Sequence, residues 1–140
     1  FIKGACRICL LGAAAGATAT DLASCSPKIS TGPAFNPVVN NNEVEIPLTL
    51  FDKNPVQIIS PQKFDYEIAV EKKEENNYNA LLLKCTHYSN QLTTTGNGYT
   101  CSLHGSKFDK TGNVINGPAE QPLQHLKTQI RNNFLYIQLV

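Results

Sequence analysis

Two short stretches constrain this chain more than anything else in it. They are Cys85-Thr86-His87 and Cys101-Ser102-Leu103-His104-Gly105-Ser106-Lys107-Phe108-Asp109, joined by a polar loop rich in Thr, Gly and Asn. Each supplies one cysteine and one histidine, at the unequal spacings C-x-H and C-x-x-H. Two thiolates and two imidazoles make a four-donor set of N and S type, which suits zinc or an iron–sulfur cluster. Structural zinc sites tend to group like ligands in C-x₂₋₄-C knuckles or H-x₃₋₅-H pairs. Here both stretches mix the two types. That mixing suits a binuclear centre in which one metal takes both thiolates and the other takes both imidazoles.

The rest of the chain offers room for one domain around such a site. At 140 residues it holds a single core. A hydrophobic fraction of 41% and a charged fraction of 16% suit an ordinary folded domain. The net charge is +1, and beyond Lys3, Arg7 and Asp21 basic and acidic residues are equal in number. A neutral body without a basic stripe argues against nucleic acid as a partner. Five cysteines is an odd count and points to mixed roles. A chain without Met that opens at Phe1 reads as a fragment of a longer one.

Residues 1–24 read as an export or lipoprotein signal segment: basic residues early, an apolar stretch from Ile8 to about Ala19, then small residues. The apolar part is short of the roughly 20 residues that a membrane-spanning helix needs. Leu22-Ala23-Ser24-Cys25 resembles a bacterial lipobox, which makes Cys25 the expected lipidation site. Phe1-Ile2-Lys3 resembles the tail of a twin-arginine export motif. Cys6 and Cys9 have C-x-x-C spacing that reads as incidental within such a segment. Residues 25–42, rich in Pro, Ser, Gly and Asn, read as a flexible tether. About 17 such residues would span roughly 20–25 Å on average and near 60 Å at most.

Residues 43–140 read as the folded domain, with the texture of short strands. Val44, Ile46, Leu48 and Leu50 alternate with their neighbours through Phe51 around Pro47, which predicts an edge or bent strand. Val56–Ile59 is a second strand, and Tyr66, Ile68 and Val70 mark a third. Glu71 to Asn77 reads as a solvated hairpin tip. Tyr78 to Lys84 is a fourth strand, whose Leu81-Leu82-Leu83 run predicts burial on both faces and which delivers Cys85. Thr93 to Gly98 lacks the Lys-Ser/Thr of a phosphate cradle and reads as a plain loop. Asp109 to Asn113 is a tight turn, Val114-Ile115 a brief strand, and Gly117 to Pro122 a rigid loop. His125 to Ile130 and Phe134 to Leu139 form a hairpin through Arg131-Asn132-Asn133, with His125 a surface or satisfied core histidine.

The two Cys/His stretches, the following Phe108-Asp109, and Gly117-Pro118-Ala119 with Pro122 together resemble a Rieske iron–sulfur protein. The resemblance covers about residues 78–125. It implies an all-β fold, an antiparallel β-sandwich with a cluster-binding tip formed by two loops, and a 2Fe–2S cofactor. In that family Cys85 and Cys101 would bind an inner iron, and His87 and His104 an outer one. Gly117, Pro118, Ala119 and Pro122 would form the loop that covers the cluster. Members of the cytochrome bc type carry a further cysteine in each loop, joined by a disulfide. Those positions are Asn90 and Leu103 here, so the bridge is absent. Gly105, Ser106 and Phe108 would lie beside the cluster. Hydrogen bonds to its sulfurs raise the potential. Ser106 matches a serine donor, whereas Phe108 stands where a tyrosine donor would be. The expected potential lies within the roughly −150 to +300 mV span of Rieske centres and below its top.

The function implied is one-electron transfer, with no substrate-transforming site in this chain. The signal and tether imply an exported protein of the bacterial cell envelope. It would be lipid-anchored to the membrane at Cys25, would face the periplasm, and would serve a redox protein partner such as a cytochrome, a quinol enzyme or an oxidoreductase. Two alternatives stay open: a Rieske-type ferredoxin supplying an oxygenase, and a structural zinc module. A catalytic oxygenase subunit would need a further site of two His and one carboxylate, and after the four ligands only His125 remains.

Overall fold

The computed structural model describes Ile29 and residues 33–140. Segment 1–24, Cys25, and residues 26–28 and 30–32 of the expected tether lie outside the described residues. Among the described residues the regular structure is all-β apart from one turn of 3₁₀ helix, Leu48–Phe51. Three antiparallel four-stranded sheets carry it. The first runs in the order β1 (Val39–Asn40), β2 (Glu43–Pro47), β12 (Phe134–Gln138), β11 (Thr128–Arg131). The second is β10 (His125–Leu126), β5 (Asn77–Leu82), β4 (Ile68–Glu74), β3 (Val56–Ile59). The third is β6 (Thr93–Thr95), β7 (Gly98–Thr100), β8 (Lys107–Asp109), β9 (Val114–Asn116).

The second sheet is buried on both faces, and its sequence explains how. Side chains alternate across a strand. Ile68, Val70, Ala80 and Leu82 face one way and join Val44, Ile46, Leu135 and Ile137 of the first sheet in one core cluster. Ala69, Leu81 and Leu83 face the other way, onto Leu92, Tyr99, Phe108, Ala119, Leu123, Cys85 and Cys101. The three-leucine run therefore serves two cores, as expected. Each buried leucine contributes about 1.5–3 kcal/mol. The second cluster is the floor on which the site is built.

Several boundaries differ from the sequence expectation. The strand expected to continue through Phe51 stops at Pro47, where the chain turns into the 3₁₀ helix. On one side β1 reaches only as far as Val44, so Pro47 meets no strand there, and on the other side it pairs with Phe134. The charged tip is shorter than expected, since β4 runs to Glu74 and β5 starts at Asn77, across a bulge. The last hairpin splits at Lys127. His125 and Leu126 pair with β5, and only Thr128–Arg131 pairs with β12, across Asn132 and Asn133 with φ of 47° and 66°. Two successive left-handed residues make the turn that matches strand twist, and Asn tolerates that conformation.

Part of the segment expected to be tether belongs to the domain. Phe35 bridges Ile59, and β1 forms a hairpin with β2 through Asn41 and Asn42, which have φ of 49° and 62°. The Asn42 side-chain amide donates to the Leu139 carbonyl at 2.7 Å. Ile29 packs in the same core cluster as Tyr99, with 5% of its surface exposed. In the third sheet only the brief strand at Val114-Ile115 matches expectation, and Thr93–Thr95, expected as plain loop, is a strand. The sheet's strands are three residues each and largely polar, too short for an alternation to register.

Candidate metal centre

The two ligand loops are built to one plan. Loop 1 leaves β5, and the Lys84–Gln91 bridge closes it behind Cys85. Inside it, the Cys85 N–H donates to the Asn90 carbonyl at 2.8 Å. Loop 2 joins β7 to β8, where Thr100 pairs with Lys107. Inside it, the Cys101 N–H donates to the Ser106 carbonyl, also at 2.8 Å. Each loop is thus a six-residue tip with the cysteine first, a histidine third or fourth, and a polar residue sixth. In loop 2 the Gly105 N–H also donates to the Cys101 carbonyl at 3.0 Å. Gly105 holds a φ of 80°, a conformation that favours a residue without a side chain.

The four donors separate by type. Cys85 and Cys101 are buried, at 2% and 1% exposure, and are not joined by a disulfide. His87 and His104 are exposed, their rings edge-to-face with centroids 5.0 Å apart. Tyr88 packs edge-on against His104 at 6.1 Å. Among the described residues no group of three or more His, Cys, Asp or Glu side chains is set to hold a single ion. A deep sulfur pair beneath a shallow imidazole pair is the donor set that a two-metal cluster requires.

The loop surroundings favour negative charge on sulfur. Burial pushes the Cys101 thiol up, but donors outweigh it and hold the thiol below the usual range. They are the backbone N–H groups of Leu103 and His104, the Cys85 side chain and the Asn90 side chain. The Asn90 amide lies 3.7 Å from the Cys101 sulfur. Leu103, at the other position where a bridging cysteine would stand, is half exposed.

A third segment, residues 116–122, clasps both loops. Thr86 Oγ1 in loop 1 donates to the Gln121 carbonyl at 2.6 Å. The Asn116 amide donates to the Gly105 carbonyl of loop 2 at 3.3 Å and to that of Gly117 at 2.8 Å. The Ala119 N–H donates to Ser106 Oγ at 3.0 Å, with Ser106 wholly buried. A hydroxyl carries one proton as well as its acceptor lone pairs, so Ser106 retains a proton to donate. The Gly117–Pro118 peptide is cis, Pro118 and Pro122 are exposed, and Ala119 is buried. Phe108, at 1% exposure, packs among the residues beneath the cysteines and offers no hydroxyl.

The structure therefore gathers Cys85, His87, Cys101, His104, Gly105, Ser106, Phe108 and Ala119 into one neighbourhood. His125 stands apart on β10, exposed, with Nδ1 2.7 Å from Asn79 Oδ1. Sequence reasoning missed Thr86, Asn116 and Gln121 as the clasp, and the Asn90 contact with Cys101. The repeated six-residue plan carried the signal for Asn90 and Ser106, because both stand sixth.

Comparison with known proteins agrees with this geometry. Residues 49–127 match the family model described as the Rieske 2Fe-2S domain. The cytochrome b6-f complex iron-sulfur subunit 1 of Nostoc sp. (strain PCC 7120) is 36% identical over 66 residues, which cover 44% of this chain and 37% of that protein. Subunit 2 from the same organism is 36% identical over 39 residues, 28% of this chain and 22% of that protein. The chain thus spans well under half the length of these relatives. Among solved structures, the plasma membrane Rieske protein PetC3 from Synechocystis PCC 6803 superposes with a TM-score of 0.52 at 22% identity. That alignment covers 68% of this chain and 98% of PetC3. With its matched domain, its all-β fold and its paired donors, the chain belongs to the Rieske 2Fe–2S family, whose cofactor is a Rieske-type cluster.

Proposed function

We propose that Cys85 and Cys101 hold the buried iron of the cluster and His87 and His104 the exposed one. The observation that carries this reading is the separation of donors by depth: both thiols are buried and both imidazoles are at the surface. When bound, the cluster supplies one-electron chemistry, taking up a single electron and giving it back. The chain's own residues do the rest. Leu81, Leu83, Leu92 and Phe108 keep water from the sulfur side. The N–H groups around Cys101 stabilise negative charge on its sulfur, and Ser106, fixed by Ala119, offers its proton beside it. Gly105 gives loop 2 its turn, and Gly117, Pro118, Ala119 and Pro122 cover the site from the third side. The exposed histidines form the face through which a redox partner exchanges the electron. EPR of the reduced protein tests the ligands. Loss of the mixed-ligand signal in Cys85→Ser and His104→Ala, with the fold retained, is the expected result. An unchanged signal in either variant would overturn the assignment.

The delivery reading is a proposal too. Segment 1–24 would direct export, and Cys25 would carry a lipid on the periplasmic side of a bacterial membrane. The domain would then begin near Ala34 rather than at Glu43, because Phe35 and β1 are part of the fold. Ile29 is buried, so only four residue steps would separate the lipidated residue from a docked one. At about 3.5 Å per residue that is about 14 Å, far short of a freely ranging tether. No helix among the described residues is long and apolar enough to cross a membrane. The relatives, named as iron-sulfur subunits of the cytochrome b6-f complex, support a cytochrome-containing complex as the partner type. Mass spectrometry of Cys25 from the membrane fraction tests the anchor, and an unmodified, uncleaved N-terminal segment would refute it. Asn90 and Leu103, standing in place of a loop disulfide, also suit a ferredoxin serving an oxygenase, in which case the native protein would fractionate as soluble.

A further inference from the structure

Asn90 does two things at once. Its backbone carbonyl accepts from the Cys85 N–H at 2.8 Å and so closes loop 1. Its side-chain nitrogen lies 3.7 Å from the Cys101 sulfur in loop 2. The same nitrogen donates to the Gln91 carbonyl at 3.0 Å. That second contact fixes which way the amide faces, since two carbonyl oxygens would repel each other there. The amide carries two N–H groups, one for each acceptor. Asn90 is half-buried, so water competes for the sulfur only in part. It is also the counterpart of Ser106. Both stand sixth in their loops, both accept the cysteine N–H through the main chain, and both carry a polar side chain with a proton to give.

We propose that Asn90 is a positioning residue that joins the two ligand loops without a covalent bridge and raises the reduction potential by donating to the Cys101 sulfur. The proposal rests on the ligand assignment above. A donor to a sulfur ligand stabilises the reduced cluster, with its extra negative charge, more than the oxidised one. It also ties loop 1 to loop 2 at a depth where Leu103, pointing to solvent, makes no bridge. Losing one such donor should shift the one-electron equilibrium about tenfold toward the oxidised state, a fall of about 59 mV.

The test is a redox titration of the full chain with its cluster, comparing the unmodified protein with Asn90→Leu, Asn90→Asp and Asn90→Gln. Asn90→Leu should lower the equilibrium constant about tenfold and shed its cluster faster to a chelator. Asn90→Asp, matched in shape, should fall at least as far, because it swaps the donor for a charge. Asn90→Gln, which keeps an amide, should recover part of the loss. Equal constants in the unmodified protein and Asn90→Leu, within about twofold, would overturn the proposal even if Asn90→Asp moved, since charge alone would then be acting. If the variants fail to retain the cluster, the unmodified protein still decides. With ¹⁵N in its asparagine side chains, pulsed EPR of the reduced state should reveal a weakly coupled amide nitrogen, and its absence would overturn the proposal. A missing mixed-ligand signal in the unmodified protein would instead refute the ligand assignment itself.

Discussion

Replacing Ser106 by alanine should produce two separable losses. The residue is wholly buried, and its Oγ accepts from the Ala119 N–H at 3.0 Å. Alanine leaves that buried N–H without an acceptor, at a cost of about 1–3 kcal/mol. For a domain this size, urea weakens stability by about 1–3 kcal/mol per molar, so the unfolding midpoint should fall by about 1 M. The second loss is electronic. A hydrogen bond to a charged acceptor contributes about 1.5–3 kcal/mol. If roughly half of that distinguishes the reduced from the oxidised state, the equilibrium shifts about 4- to 13-fold, or about 30–65 mV for one electron. Voltammetry of the cluster-loaded protein measures the potential, and urea unfolding followed by visible absorbance measures the stability. Ser106→Cys, with a weaker donor, should fall between. A Ser106→Ala protein that loses stability but keeps its potential would refute the claim that the hydroxyl proton acts on the site.

Other perturbations probe the frame around the loops. Gly98→Ala would bring a Cβ to 2.0 Å from the Phe108 carbonyl oxygen. Both atoms belong to paired strands, so β7 and β8 must separate, and a loss of at least about 1–3 kcal/mol is expected in chemical denaturation. Thr86→Val removes the 2.6 Å bond to Gln121. A loss of about 1 kcal/mol and faster cluster release to a chelator should follow, with circular dichroism unchanged. Burial is the largest single influence on Asp109 and raises it, but the hydrogen bonds from Thr111 and Asn113 together outweigh that and hold its carboxyl below the usual range. Its contribution is therefore full above the unfolded value near ~3.9 and is lost as pH falls through the depressed folded value. The stability difference between the unmodified protein and Asp109→Asn should be constant above about pH 5 and shrink below that. A difference that grew on acidification would contradict the turn's hydrogen bonding.

What was legible in the sequence followed from local spacing. The four candidate ligands could be picked out because each loop fixes its cysteine and histidine within a few residues. The strand Val56–Ile59 and the double burial of Leu81 to Leu83 could be read because these are short, nearly unbroken apolar runs. Thr93–Thr95, Gly98–Thr100 and Lys107–Asp109 are too short and too polar for that, and they become a sheet through the turn at Gly96-Asn97 and loop 2, which set β7 between β6 and β8. Pro and Asn made residues 33–42 look like a linker. Asn41 and Asn42 in fact supply the left-handed turn of a hairpin. The clasp by Thr86, Asn116 and Gln121 is tertiary, and nothing in their neighbouring residues announces it.

The account stands on a cluster with two sulfur and two nitrogen ligands, and pulsed EPR of the reduced protein tests that most directly. Two strongly coupled nitrogens are predicted, one removed by His87→Ala and the other by His104→Ala. A reduced protein with no EPR signal, or a signal without strongly coupled nitrogen, would contradict it.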